Sequence, residues 1–262
     1  AIRAGPARRT LRAAGAAMAK SLLGAAGRGD LEAVRLLLDE GKADVNEEAV
    51  DDGATPLLVA AQAGHADIVS ALAGAGADVD KAADDGASPL HVAAMRGHSG
   101  AAVALLAAGS ARELRRADGA TPLFCAAQRG FPGVVQLLLK ERCNVDQARH
   151  HGDTPLFSAV ENAHVEVVRC LLAARADTQK GTRAGTTPLA AADDCAFPEI
   201  EEMLVEAGAT RAATNTSHNF TVFCVLLISV GACVFWGVVM HLAHTIGWWD
   251  EPIEHPGHHT EL

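Results

Sequence analysis

The chain has no Tyr, and only seven Phe and three Trp among its 262 residues. A core so poor in aromatics has to be filled by Ala, Leu and Val, which suits helices packed at short distance. A basic excess is missing too. The formal charge is −10, without the basic stripe that a nucleic-acid binder carries, so nucleic acid is excluded as a partner. The six Cys (Cys125, Cys143, Cys170, Cys195, Cys224, Cys233) form no C-x-x-C and no close pair. That removes metal-ligand spacing and a disulfide framework, and leaves small buried hydrophobes in a reducing compartment. No G-x-x-x-x-G-K-S/T, H-E-x-x-H, G-x-S-x-G or paired-carboxylate arrangement occurs. The expectation is a protein without catalytic residues, cofactor or resident metal.

What the chain has instead is repetition. Gly53, Gly86, Gly119, Gly152 and Gly185 stand 33 residues apart. Thr55, Ser88, Thr121, Thr154 and Thr187 keep the same step, each followed by Pro and Leu, and so do Leu72, Leu105, Leu138, Leu171 and Leu204. Thr and Ser are good helix N-caps, and Pro next to them loses no hydrogen bond. Ala60, Ala93, Ala126, Ala159 and Ala192 leave room for a neighbouring helix. Gly64, Gly97 and Gly130 end that short helix where a left-handed cap is cheap. A second helix follows, with apolar residues at i, i+1 and i+4: Ile68, Val69, Leu72; Val134, Val135, Leu138; Val167, Val168, Leu171.

A period of 33 with a T-P-L phrase resembles the ankyrin repeat. The resemblance covers residues 20–213 and implies an all-α solenoid of about six helix–turn–helix repeats. Two are caps: a degenerate first copy without T-P-L, and a last copy with Glu201 and Glu202 where its sisters carry Val or Leu. The family's His after T-P-L survives only as His91, against Leu58, Phe124, Phe157 and Ala190. Its G-A after the second helix becomes Arg142-Cys143 and Arg175-Ala176, so an altered turn is expected there.

The flanks read differently. Residues 1–19 form a basic arm or the remnant of a transit sequence, with Arg3, Arg8, Arg9 and Arg12 and no acid before Asp30. After a linker at 214–219, residues 220–240 pass without a charge, FTVFCVLLISVGACVFWGVVM. At about 1.5 Å per residue they span the roughly 30 Å hydrocarbon layer, and a single transmembrane helix is expected over 220–242. Trp248 and Trp249 suit the interfacial belt, and the acidic, His-containing tail 243–262 has no Lys or Arg. The positive-inside rule then puts the repeats on the cytosolic, matrix or stromal side. Ser229, Cys233 and Gly237 stand four apart, a small-residue face that suits neighbouring transmembrane helices.

The resemblance implies binding of other proteins through loop tips and first helices lining a concave face. Candidate tip residues are Asp51, Asp52, Asp84 and Asp85, then Arg115, Arg116, Arg149, His150 and Arg183. This change of sign along the stack would orient a partner of matching charge. The functional expectation is a non-enzymatic, membrane-anchored interaction module, an accessory or scaffold subunit of a large organellar complex, respiratory or photosynthetic. The alternative is a tail-anchored adaptor on the cytosolic face of the endoplasmic or outer mitochondrial membrane.

Overall fold

Each T-P-L phrase opens a helix. In the computed structural model, which describes residues 21–41, 43–50 and 52–210, Thr55, Thr121, Thr154 and Thr187 are extended N-caps. Their Oγ1 atoms accept the N–H of Leu58 (3.2 Å), Phe124 (3.3 Å), Phe157 (3.1 Å) and Ala190 (3.3 Å). Ser21 does the same for Gly24 in the copy that lacks the phrase. Each Pro takes the first helical position, where a missing N–H costs nothing. The first helices are α1 (Leu22–Arg28), α3 (Pro56–Ala63), α5 (Pro89–Arg96), α7 (Pro122–Arg129), α9 (Pro155–Glu161) and α11 (Pro188–Cys195). The second helices are α2 (Leu31–Asp39), α4 (Ala66–Gly74), α6 (Ser99–Ala107), α8 (Pro132–Lys140), α10 (Val165–Ala173) and α12 (Pro198–Glu206).

First helices pack in one row and second helices in a row behind them, giving six stacked repeats and, among the described residues, no strand. The core is a single column of small side chains. Leu57, Leu90, Leu123, Leu156 and Leu189 come from the first helices, and Leu72, Leu105, Leu138, Leu171 and Leu204 from the second; all are essentially inaccessible. Ala60, Ala93, Ala126, Ala159 and Ala192 are fully buried between them. The last copy behaves as a cap: Ile200 and Leu204 are buried, while Glu202 is exposed and Glu201 half-buried.

At Gly97 the short helix ends on glycine for a steric reason, although Ala163 and Ala196 hold the equivalent position in the last two repeats at φ of 57° and 56°. The φ of Gly97 is +75°, and a Cβ there would lie 2.4 Å from the Phe131 ring of the next repeat. His98 and His164 occupy the equivalent ring position over Gly64 and Gly130. Each also donates from Nε2 to a carbonyl of the preceding repeat, Gln62 and Gln128, both at 3.1 Å. Neither histidine belongs to the T-P-L phrase, whose His survives only as His91. A second ladder was not foreseen. Asn46, Asp80, Glu113 and Asp146 accept the backbone N–H of Asp78, Ala111, Asn144 and Asp177, at 2.9, 2.9, 2.7 and 2.9 Å. Each turn is thereby tied to the next.

The turn after the second helix is not rebuilt where Arg replaces Gly. Arg142 and Arg175 adopt φ of 60° and 62°, at the place where Gly76, Gly109 and Gly208 stand near 90°. The closing bond from Ala77 N to Leu72 O (3.0 Å) recurs as Ala176 N to Leu171 O (3.0 Å) and Cys143 N to Leu138 O (3.4 Å). The difference is backbone strain, of roughly 1–2 kcal/mol for a residue with a Cβ. Glycine costs roughly 0.5–1 kcal/mol of chain entropy in return. Arg142→Gly and Arg175→Gly are both exposed changes, and each should stabilise the stack by about 0.5–1 kcal/mol, read as a higher urea midpoint by circular dichroism.

Among the described residues, no helix is long and apolar enough to cross a membrane. The expected basic arm 1–19, linker 214–219, membrane helix 220–242 and tail 243–262 lie outside the described residues.

Candidate functional site

Between repeats the chain rises into a tight finger and returns. Ala83 N–H donates to Ala87 O (3.0 Å) and Gly86 N–H to Ala83 O (2.9 Å). The pattern recurs as Arg116 to Ala120 with Gly119 to Arg116, and as Arg149 to Asp153 with Gly152 to Arg149. Asp52, Asp85 and Asp118 each turn one carboxylate oxygen back onto the N–H two residues on, at 3.1, 2.9 and 3.0 Å. Neighbouring fingers are stitched together by Asp84 N–H to Asp52 O (3.1 Å), His150 N–H to Asp118 O (2.9 Å) and Arg183 N–H to His151 O (3.3 Å). The fingers are therefore built scaffolds, and their aspartates are structural at one oxygen.

This changes how the charge series reads. Arg115 donates from Nε to Gly119 O (3.1 Å) and from Nη2 to Ala148 O (3.0 Å), bracing two fingers. Arg116 donates from Nη2 to Asp85 Oδ2 (2.9 Å), rests Nη1 against Met95 Sδ (3.7 Å), and buries an Nε that finds no acceptor among the described residues. Arg149 pairs with Asp153 (Nε–Oδ2 2.6 Å) and lies 5.1 Å from the centroid of the Phe124 ring, a cation–π contact. Three of the expected basic contacts are thus engaged within the chain. Asp84, His150 and Arg183 are exposed, as is Asp52. Asp84 makes no side-chain hydrogen bond or ion pair with a described residue, and neither does the second oxygen of Asp52. Asp51, Ser229, Cys233, Gly237, Trp248 and Trp249 lie outside the described residues.

On the face made by fingers and first helices, an open groove of about 380 Å³ lies between the second and third repeats. Leu58 and Gln62 of α3 and Val92, Met95 and Arg96 of α5 form its floor and far side. Asp52, Ala83, Asp84 and Asp85 of two fingers form the near side. The sequence reading named the fingers but none of the helix residues. They carry the same step of 33, Gln62 to Met95 to Gln128 to Glu161, and that step is the signal that finds them. On the opposite face, a shallow depression of about 320 Å³ lies between α4 and α6, walled by Ser70, Gly74 and alanines.

The chemistry available here is recognition. Burial pushes the Cys125 thiol up to about 11, against the opposing pull of Arg116, and burial likewise pushes Cys143 to about 11. Both are protonated at neutral pH and serve as packing atoms. His91 is buried; its Nδ1 accepts the Ser88 N–H (3.3 Å) and lies 2.8 Å from Ser88 Oγ, while Nε2 donates to Ala120 O (3.1 Å). Desolvation lowers it to about 4, and the neighbouring Arg116 adds to that. It is a neutral structural imidazole. Among the described residues, no three His, Cys, Asp or Glu side chains are placed to hold a metal ion.

The family model for ankyrin repeats matches residues 22–116, 72–149, 90–182 and 133–217, which together run unbroken from 22 to 217. Among solved structures, the ankyrin repeat domain of human ASB11 is similar at 29% identity and a TM-score of 0.66, covering 72% of this chain and 84% of that one. The ankyrin repeat domain of Bcl-3, a unique member of the IkappaB protein family, is similar at 27% identity and a TM-score of 0.67, covering 72% of this chain and 86% of that one. No curated protein matches the sequence.

Proposed function

The chain belongs to the ankyrin-repeat family, whose repeats make it a protein–protein interaction module, and on that premise we propose that it is a non-enzymatic docking subunit held at a membrane by residues 220–242. The observation that carries the docking half is the open groove of about 380 Å³ bounded by Asp84, whose carboxylate has no partner among the described residues, and the half-engaged Asp52. A face that has solved its internal hydrogen bonding and still presents charge and apolar surface is suited to a partner. Photo-crosslinking tests it. A benzophenone side chain at Gln62 should capture a partner in native membranes, and the same group at Ala73, on the opposite face, should not. Capture from Ala73 alone would overturn the inner face as the docking surface.

The membrane half rests on the uncharged run 220–240 and the absence of Lys and Arg after Arg211. The repeats then face the matrix, stroma or cytosol. The Arg-rich, acid-free opening favours an organelle, mitochondrial inner or plastid thylakoid membrane, and an accessory place in a large complex. Resistance to carbonate extraction, with co-migration alongside a complex many times its mass on a native gel, is the expected outcome. Gly237→Leu should weaken that co-migration by filling the small-residue face with Ser229 and Cys233. Membrane integration with migration as a free monomer in mild detergent would favour the tail-anchored adaptor.

A further inference from the structure

We infer that the groove between the second and third repeats is an arginine-binding site for an extended segment of a partner protein. This deepens the inner-face reading above and rests on it.

The chain supplies the template. One repeat further along, Arg116 reaches from its finger, donates to Asp85 Oδ2 of the preceding finger, lies against Met95 of the preceding first helix and adjoins Cys125 of its own repeat. Subtracting 33 from each of these four positions gives Ala83, Asp52, Gln62 and Val92. All four line the open groove. The cavity therefore stands where an arginine of that register would be, and it is open because Ala83 has no side chain long enough to fill it.

The remaining groups fit an incoming guanidinium. Asp52 spends Oδ1 on the Ala54 N–H (3.1 Å), as Asp85 spends Oδ1 on Ala87 (2.9 Å). Asp85 gives its Oδ2 to Arg116 (2.9 Å), whereas Oδ2 of Asp52, in the groove lining, has no partner among the described residues. Gln62 replaces the thioether of Met95 with an amide oxygen, a stronger acceptor for a guanidinium N–H. Asp84 adds a second carboxylate. Leu58 and Val92 give the arginine stem, and an aliphatic neighbour on the partner, an apolar floor. Arg96 of α5 is the one cation among the described lining residues, and it fixes the orientation by meeting the partner's backbone carbonyls or an acid. Guanidinium is favoured over ammonium because its planar fork meets Asp52 and Gln62 together.

The test is selection from random nonapeptides on the full chain in mild detergent, followed by binding of the selected peptides to variants. Arginine should be enriched at one position beside Leu, Ile, Val or Met. Asp52→Asn keeps the turn, since Asn Oδ1 accepts the same N–H, and should weaken the selected peptide at least tenfold. Ala83→Arg should fill the groove from within and abolish binding, with helicity and urea midpoint unchanged or raised. Arg→Lys in the peptide should cost several-fold. Peptides without arginine enrichment, or unchanged affinity for both variants, overturn the arginine site. If binding then still depends on Gln62, the inner face stands without the arginine. If binding ignores Gln62, Asp52 and Ala83 alike, both readings fall.

Discussion

Leu138→Asp is expected to remove the cooperative unfolding of the stack as a single unit. Leu138 is completely buried in α8, which packs on its own α7 and between α6 and α10. Truncating such a leucine to alanine alone costs about 2–5 kcal/mol, and a carboxylate in the same space has no partner to offset its desolvation. In a solenoid each repeat contacts only its neighbours, so stability is close to a sum of repeat and interface terms. A defect at the fourth repeat weakens its own core and both adjoining interfaces, whereas Leu204→Asp in α12 reaches only the end of the array. Urea unfolding followed by circular dichroism at 222 nm should show the midpoint collapse or split in two for Leu138→Asp, and mere fraying for Leu204→Asp. Tryptophan fluorescence is a poor monitor because Trp236, Trp248 and Trp249 all lie beyond the repeats. Equal losses for the two variants would mean that the column of 33-spaced leucines does not set the stacking order.

The repeat was legible because its signals are local. A Thr-Pro start, a small residue in the middle and a glycine end are each dictated within a few residues, so their spacing alone fixes the helix–turn–helix unit. The rest depended on contacts between copies. Asp80, Glu113 and Asp146 keep the step of 33 as well, but that each holds the next turn, at a separation of 31 residues, shows only in the contacts. The turn at Arg142 was expected to be altered because glycine is missing. The surrounding hydrogen bonds hold it in the left-handed region all the same, and the sequence difference is stored as strain. The finger charges were read as a series of opposite signs, but a side chain's sign does not say where it points. Arg116 and Arg149 are drawn back by Asp85, Met95 and Phe124 from neighbouring turns and helices, and by Asp153 from Arg149's own finger. What looked like a basic half of the face is in good part internal bracing, and the open groove falls where alanine breaks that series.

Acidification from pH 7 should destabilise the stack through His91. The buried ring is neutral in the folded chain, titrating at about 4, chiefly because burial denies its cation water. Unfolded, a histidine titrates near 6.5. Below about 6.5 the unfolded chain therefore takes up a proton that the folded chain refuses, and stability falls with pH until the folded pKa is reached. At about 1.4 kcal/mol per unit, the loss amounts to about 2 kcal/mol by pH 5 and about 3 kcal/mol by pH 4, with nothing further from this group below that. His91→Leu isolates the effect, because Leu58 already occupies the same position one repeat earlier. That variant loses the bond to Ala120 O (3.1 Å) and the imidazole half of the Ser88 cap, at a cost of about 1 kcal/mol at pH 7. Its stability should then change far less between pH 7 and pH 5 than that of the native chain, so the two curves converge and cross as the medium is acidified. Parallel urea midpoints across that range would show that the imidazole accepts its proton in place, with water reaching the Ser88 cap.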